Sequence, residues 1–76
     1  MENKDIARIL SETADLMEID NQDAFRIRSY RNATQAIQNL AEPVEEILKD
    51  PARKLTDIPS IGKGMAAHLE ELCQRG

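Results

Sequence analysis

Apolar residues recur every three or four positions along most of the chain, which is the spacing of helices with one buried face. The first such segment runs from about residue 4 to residue 20, and Asn3 precedes it as a candidate N-cap. Its predicted inward positions are Ile6, Ile9, Leu10, Thr13, Leu16 and Met17. The polar run 20–23 breaks the pattern, and Asp23 has the short acceptor side chain of an N-cap. We therefore expect a second helix over about 24–40.

Turn residues divide the remaining chain into shorter helices. A third helix is expected over about 43–50, with Pro43 in its first turn, and Pro51 ends it. A short helix is predicted over about 52–56 and a last helix over about 63–74. The pattern predicts an all-α fold, a compact bundle of four to five short helices over residues 1–76, with a small aliphatic core.

Composition fits a single small domain. The chain has 76 residues with one Phe, one Tyr and no Trp, so aliphatic side chains must form the core. One Cys and one His exclude an internal disulfide and the usual Cys/His zinc sites. No apolar run approaches the length of a membrane span, and the first residues lack the pattern of a signal peptide. We expect a cytoplasmic protein without a membrane partner.

The formal net charge of −4 argues against a nucleic-acid partner, because phosphate binding draws on Lys and Arg. The distribution of charge argues the other way. Residues 24–41 carry three arginines and no acid, and residues 51–64 carry three bases against one acid. These bases are Arg26, Arg28, Arg31, Arg53, Lys54 and Lys63. Two basic blocks within an acidic chain indicate a localised anion site.

The segment DIPSIGKG, residues 57–64, holds more turn-forming residues than a helix start requires. Pro59 fixes φ, and Gly62 and Gly64 allow positive φ or a close backbone approach that a Cβ would block. The turn leads into the first turn of a helix, whose free N–H groups attract anions, and Lys63 adds a full charge. We interpret it as a phosphate cradle that binds a sugar–phosphate chain without reading bases. A purely structural turn is the alternative.

The second basic segment is FRIRSYRNA, residues 25–33. Arginines early in a helix oppose the helix dipole, so local stability does not explain them, whereas a bound anion would. The alternative is ion pairing with acids of the first helix, worth about 0–1 kcal/mol per pair. We favour anion binding for Arg28 and Arg31, because neutral amides fill the rest of their helix face. Tyr30 and His68 are expected at the borders of buried stripes.

In this order, these segments resemble the small N-terminal domain of family X DNA polymerases, especially the bacterial and archaeal members. The resemblance covers nearly the whole chain and rests on NKDIARILSETADLMEI, AFRIRSYRNATQAI and LTDIPSIGKGMAAHLEEL. The last segment is similar to a helix-hairpin-helix motif. The resemblance implies the N-terminal part of a longer DNA-directed DNA polymerase of base excision repair. Such a domain binds gapped or nicked DNA at the 5′-phosphate side, here as an expected monomer, and Mg²⁺ belongs to the polymerase part.

Carried over by position, the resemblance assigns DNA-binding residues. The hairpin residues are Pro59, Ser60, Ile61, Gly62, Lys63 and Gly64. Arg26 and Tyr30 match the side of the 5′-phosphate pocket, and Arg28 and Arg31 flank it. His68 is a further DNA-binding position. The backbone carbonyls of Thr56, Ile58 and Ile61 match those that hold a monovalent cation, Na⁺ or K⁺, against a DNA phosphate. The resemblance implies no other cofactor in this domain.

The chain departs from the family pattern at two positions. Ser60 stands where the motif has its first glycine, and this leaves the phosphate geometry of the hairpin open. His68 stands where the eukaryotic repair members have the Schiff-base lysine of 5′-deoxyribose-phosphate lyases, and an imidazole cannot form that imine. We therefore assign no catalytic residue.

Two alternatives to plain DNA binding stay open. One is a 5′-deoxyribose-phosphate lyase that uses Lys63 as its nucleophile. The other is a protein-interaction module in which the acidic first helix and residues 42–50 bind a basic partner, while the hairpin is only structural.

Overall fold

The protein is described by a computed structural model that covers residues 1–20 and 23–75. Within these ranges the chain forms α-helices and one 3₁₀ helix, and no strand, so the predicted all-α class is confirmed. The helices are α1 (Asn3–Ile19), α2 (Ala24–Gln38), α3 (Val44–Lys49), the 3₁₀ helix (Leu55–Asp57) and α4 (Lys63–Arg75). None of these helices is both long enough and apolar enough to cross a membrane.

The predicted helix over 52–56 is wrong. This stretch forms single turns, and a nearby carboxylate accepts a hydrogen bond from a backbone amide in each of them. The carboxylate of Asp50 accepts from the amide of Ala52 at 2.9 Å, which closes a turn directly after α3. The carboxylate of Asp57 accepts from the amide of Lys54 at 3.2 Å, and the 3₁₀ helix begins only at Leu55. The predicted break at 20–23 lies partly outside the described residues.

The core is aliphatic and draws on every element. Its buried residues are Ile6, Ala7, Leu10, Ala33, Ile37, Val44, Ile47, Leu55, Ile61 and Leu69. The helices α1 and α2 pack along each other, and the 3₁₀ helix contacts both α3 and α4. Ile61 is buried and Ile58 packs against the core, so these two residues anchor the segment between the 3₁₀ helix and α4.

The predicted inward stripe of α1 is only partly correct. Ile6 and Leu10 are fully buried, but Leu16 is 63% exposed. Ile9, Thr13 and Met17 are half-buried. The buried residues of α1 are Ile6, Ala7, Leu10 and Ala14, and the first three belong to the core cluster, so the burial of α1 fades toward its last turns.

Of the two predicted N-caps, one is correct and one is wrong. The side chain of Asp23 accepts from the amide of Phe25 at 2.9 Å, as expected for the cap of α2. Asn3 does not cap α1, because Glu2 occupies that N-cap position. The Asn3 amide instead donates to the carbonyl of Glu42 and accepts from the amide of Val44, both at 2.8 Å. Asn3 therefore caps the start of α3 from a distant part of the chain.

Candidate nucleic-acid interface

A tight turn connects the 3₁₀ helix to α4. The amide of Ile61 donates to the carbonyl of Ile58 at 3.1 Å, so Pro59 and Ser60 are the two central residues. Ser60 has φ 76°, the positive-φ position at the third residue of a type II turn, and proline is favoured at the second. Ser60 is the only non-glycine residue with positive φ among residues 1–20 and 23–75. The left-handed conformation is therefore carried by a residue with a Cβ, at the position where the motif has its first glycine.

The two glycines after the turn have a different role from the one predicted. Neither Gly62 nor Gly64 has positive φ, because Ser60 takes the left-handed position. A Cβ placed on either glycine would meet no heavy atom within 4 Å, so no close internal approach requires them. Both are exposed and lie at the start of α4. What the glycines provide is bare backbone that an external group can approach.

The start of α4 is also a site of positive potential. The carbonyl of Gly62 accepts from the amide of Ala66 at 2.8 Å, the first bond of the helix. The amides of the first helical turn have no acceptor within the helix and point along its positive dipole end. Lys63 is the first residue of α4 and is exposed. This geometry suits a phosphate group.

Most cationic side chains of the protein are paired with carboxylates. The chain has ten Lys and Arg residues, and six of them lie within 4.0 Å of a carboxylate. In the described part of the chain, the four without such a partner are Arg26, Arg28, Lys54 and Lys63. All four are exposed and belong to the two basic blocks. They are the charges available to an outside anion.

Arg31 behaves differently from the other arginines of α2. One of its guanidinium nitrogens donates to a carboxylate oxygen of Asp15 and to one of Glu18, each at 2.7 Å. These hydrogen bonds, with Glu18 the stronger influence, raise the pKa of Arg31. Arg31 thus joins α2 to α1. For this residue the structure shows ion pairing with acids of the first helix, the alternative to anion binding. We leave it out of the candidate interface.

Two of the predicted DNA-binding residues meet across helices. The rings of Tyr30 on α2 and His68 on α4 lie edge to face, with centroids 5.9 Å apart and an interplanar angle of 61°. Both are half-buried, and Tyr30 packs against the core. Arg26 lies one turn before Tyr30 on the same side of α2. The contact therefore fixes the relative position of the basic start of α2 and the helix that follows the hairpin.

Several grooves border the hairpin, and two of them bear on anion binding. One lies between α3, the 3₁₀ helix and α4, and it brings Lys54 and Lys63 to the same depression, which Glu70 also lines. The other lies between α2 and the turn, where Pro59 and Ser60 face a row of side-chain amides from Asn32, Gln35 and Asn39. The turn thus lies between a basic groove and a neutral polar one, and both are open to an extended polymer.

Sequence reasoning missed Phe25. Its side chain is 73% exposed, in the first turn of α2 and next to Arg26. An exposed aromatic ring beside an arginine is suited to stack on an unpaired base. The available signal was the position of Phe25 directly after the Asp23 cap, within the basic segment and outside the apolar stripe of α2.

The predicted cation site consists of backbone carbonyls. The carbonyl of Ile58 already accepts from the amide of Ile61, and its second lone pair is left for a cation. Residues 1–20 and 23–75 contain no cluster of His, Cys, Asp or Glu side chains that could hold a metal. A monovalent ion at Thr56, Ile58 and Ile61 would therefore depend on backbone oxygen alone, and it stays a prediction.

Comparison with known proteins gives a family assignment. A family model described as "Helix-hairpin-helix domain" matches residues 1–76, which is the whole chain. The comparisons with curated proteins and with solved structures gave no match.

Proposed function

The chain belongs to the helix-hairpin-helix domain family, whose members generally bind nucleic acid, and from this we propose that it binds DNA through the sugar–phosphate backbone, independently of sequence. The observation that carries the proposal is the start of α4. Bare glycine backbone, the positive end of the helix dipole and the unpaired Lys63 coincide there. Contacts of this kind fix a protein on the duplex and carry no base information.

The finer proposal is that the bound DNA is gapped or nicked and that the 5′-phosphate lies between the hairpin and the start of α2. Arg26 and Arg28, which have no carboxylate partner among residues 1–20 and 23–75, lie in the first turns of α2. The edge contact of Tyr30 with His68 joins this basic helix to α4. A DNA end has both a phosphate for the arginines and an unstacked base for the exposed ring of Phe25.

The parent protein in this proposal is a family X DNA repair polymerase. Nucleotidyl transfer and its Mg²⁺ would belong to a catalytic part outside this chain. A Na⁺ or K⁺ ion at the hairpin carbonyls would bridge to a phosphate. We retain the cytoplasmic location and the monomeric state as expectations of the same proposal.

Fluorescence anisotropy with a gapped duplex, with and without a 5′-phosphate on the downstream strand, tests the proposal. We expect the phosphorylated gap to bind several-fold more tightly, and Arg26→Ala to remove that difference. Arg8→Ala is the matched control, because Arg8 is an exposed arginine on α1 that lies 3.5 Å from Glu12. Absence of DNA binding at low salt would overturn the whole proposal. Equal binding to both gaps would overturn only the 5′-phosphate site.

We propose binding without lyase chemistry. His68 has no primary amine, so the imine of the lyase reaction has no nucleophile at that position. Borohydride treatment of the protein with an incised abasic duplex should trap no covalent adduct. An adduct that Lys63→Ala abolishes would show instead that Lys63 acts as the nucleophile.

A further inference from the structure

The helix α1 carries a second apolar stripe, the last part of which is left exposed by the rest of residues 1–20 and 23–75. Leu16 is 63% exposed and Ile19 is 78% exposed, and Ile9 is half-buried one heptad before Leu16. With Glu12, these residues follow the 3-4-3 spacing of a coiled-coil seam. Ile9 and Leu16 occupy one set of seam positions, and Glu12 and Ile19 occupy the other. We call these four residues the α1 seam.

The charges around the α1 seam are mostly negative. Glu12 lies within it, and Asp5 and Asp20 lie at its two ends. Arg8 lies 3.5 Å from Glu12, and both side chains are more than 60% exposed. A weak surface pair of this kind leaves the carboxylate available to a better partner. The surface is therefore apolar at one end, mostly acidic and open to solvent.

These charges select among possible occupants. DNA and anionic lipid surfaces are repelled by carboxylates, so neither fits the α1 seam. A second copy that paired in parallel through the same seam would bring the two Glu12 side chains together, and like charges in facing positions oppose pairing. An amphipathic helix with leucine-type anchors and flanking lysines or arginines matches both the apolar spacing and the sign of charge.

We infer that the α1 seam docks a basic amphipathic helix of a partner protein. The domain then has two binding surfaces of opposite sign, the hairpin with the start of α2 for DNA and the α1 seam for protein. Leu16 and Ile19 fill apolar positions of the partner helix, and Glu12 pairs with a cation beside them. This differs from a module with a purely structural hairpin, because the two surfaces use different residues.

The test uses synthetic helical peptides as probes. One peptide has leucines at seam spacing with flanking lysines, a second replaces the lysines with glutamates, and a third scrambles the first. We expect the protein to bind the Leu/Lys helix about tenfold or more tightly than either control peptide. Leu16→Ser with Ile19→Ser should remove that preference. Both residues are exposed, so the variant keeps the buried core intact.

Matched variants separate this surface from the DNA site. Phe25→Ser removes an equally exposed apolar residue outside the α1 seam and should leave peptide binding unchanged. Glu12→Lys should weaken binding of the peptide with flanking lysines and strengthen binding of the peptide with flanking glutamates. Equal peptide binding by the wild type and the Leu16→Ser, Ile19→Ser variant would overturn the inference. A dimer in sedimentation equilibrium that this variant abolishes would also overturn it, in favour of a second copy of the chain.

Discussion

At the scale of single residues, Ser60 is the position where the sequence and the backbone conflict. A residue with a Cβ at φ 76° costs about 1–2 kcal/mol relative to the right-handed region, and glycine has no such cost. The two neighbouring glycines do not relieve this cost, because neither adopts positive φ. The strain is therefore confined to the tip of the hairpin that we propose for DNA contact.

Ser60→Gly should raise the free energy of unfolding. Glycine removes the cost of positive φ, but it also gives the unfolded chain more conformational entropy, which opposes folding. The net gain in the free energy of unfolding should be about 0.5–1 kcal/mol. Urea denaturation followed by circular dichroism measures it. Ser11→Gly is the control, because Ser11 lies inside α1, where glycine should lower stability by a similar amount. A loss of stability with Ser60→Gly would contradict the strain argument.

The sequence established the chemistry of individual residues but not their partners. Both Arg28 and Arg31 belong to the same basic segment and were predicted to bind anions together. The packing of α1 against α2 brings Asp15 and Glu18 to Arg31 alone. Arg28, three residues earlier, has no carboxylate within 4.0 Å among the described residues. The rotation of α2 against α1 determines which of the two arginines meets a carboxylate. The local sequence pattern does not specify this rotation.

At the scale of elements, α3 is a short helix held at its start by α1. Its own sequence supplies no side-chain cap, because Pro43 occupies the N-cap position. Asn3 supplies the missing acceptor for the amide of Val44 and the donor for the carbonyl of Glu42. The terminal amine of Met1 adds an ion pair with Glu45 at 2.6 Å. The N-terminal residues thus fix the orientation of α3.

Asn3→Ala should lower the free energy of unfolding by about 1–2 kcal/mol, because it removes a cap and leaves two backbone groups unpaired. Chemical denaturation measures the change. Asn32→Ala is the matched control: Asn32 is an exposed asparagine of α2 in a helical position, and its replacement should alter stability by about 0.5 kcal/mol or less. Equal effects of the two substitutions would show that Asn3 is not a cap.

The pair of Met1 and Glu45 gives stability a defined pH dependence. The hydrogen bond to the amine lowers the pKa of Glu45, and the bond to Glu45 raises the pKa of the amine. The carboxylate contribution is present above its unfolded pKa and is lost as pH falls through the lowered value. The amine contribution is present below its unfolded pKa and is lost as pH rises through the raised value. Both contributions are present between about pH 5 and pH 8.

Glu45→Gln should therefore flatten the pH dependence of the melting temperature on both sides of this window. Differential scanning calorimetry from pH 3 to pH 10 would show it. Glu46→Gln is the control, because Glu46 is exposed on the same helix and lies 4.0 Å from Lys49. The same curvature in the wild type and in Glu45→Gln would exclude the pair as its source.

At the scale of the whole molecule, an acidic protein has a localised basic surface. The net charge of −4 opposes DNA at a distance. Four bases that have no carboxylate partner in the described part of the chain attract DNA at contact: Arg26, Arg28, Lys54 and Lys63. Binding should accordingly be weak and sensitive to salt. The α1 seam has the opposite sign and is part of a different helix.

The slope of log affinity for DNA against log salt concentration should be about −3 to −4, as expected for roughly three to five phosphate contacts. Lys63→Ala should make the slope less steep by about 1, because it removes one of these contacts. Lys49→Ala should leave it unchanged, since Lys49 lies on α3 within 4.0 Å of Glu46. A slope near zero would remove the electrostatic account of binding.

The sequence by itself determined the all-α class, the positions of the long helices and the hairpin residues. Helix periodicity, the Asp23 cap and the Pro59 turn are local properties, so neighbouring residues suffice to specify them. Only the tertiary structure decided that Arg31 is paired, that Leu16 and Ile19 are exposed, and that Asn3 caps α3. These outcomes depend on how far the core extends and how the helices are rotated against each other. Both are set by contacts between distant segments.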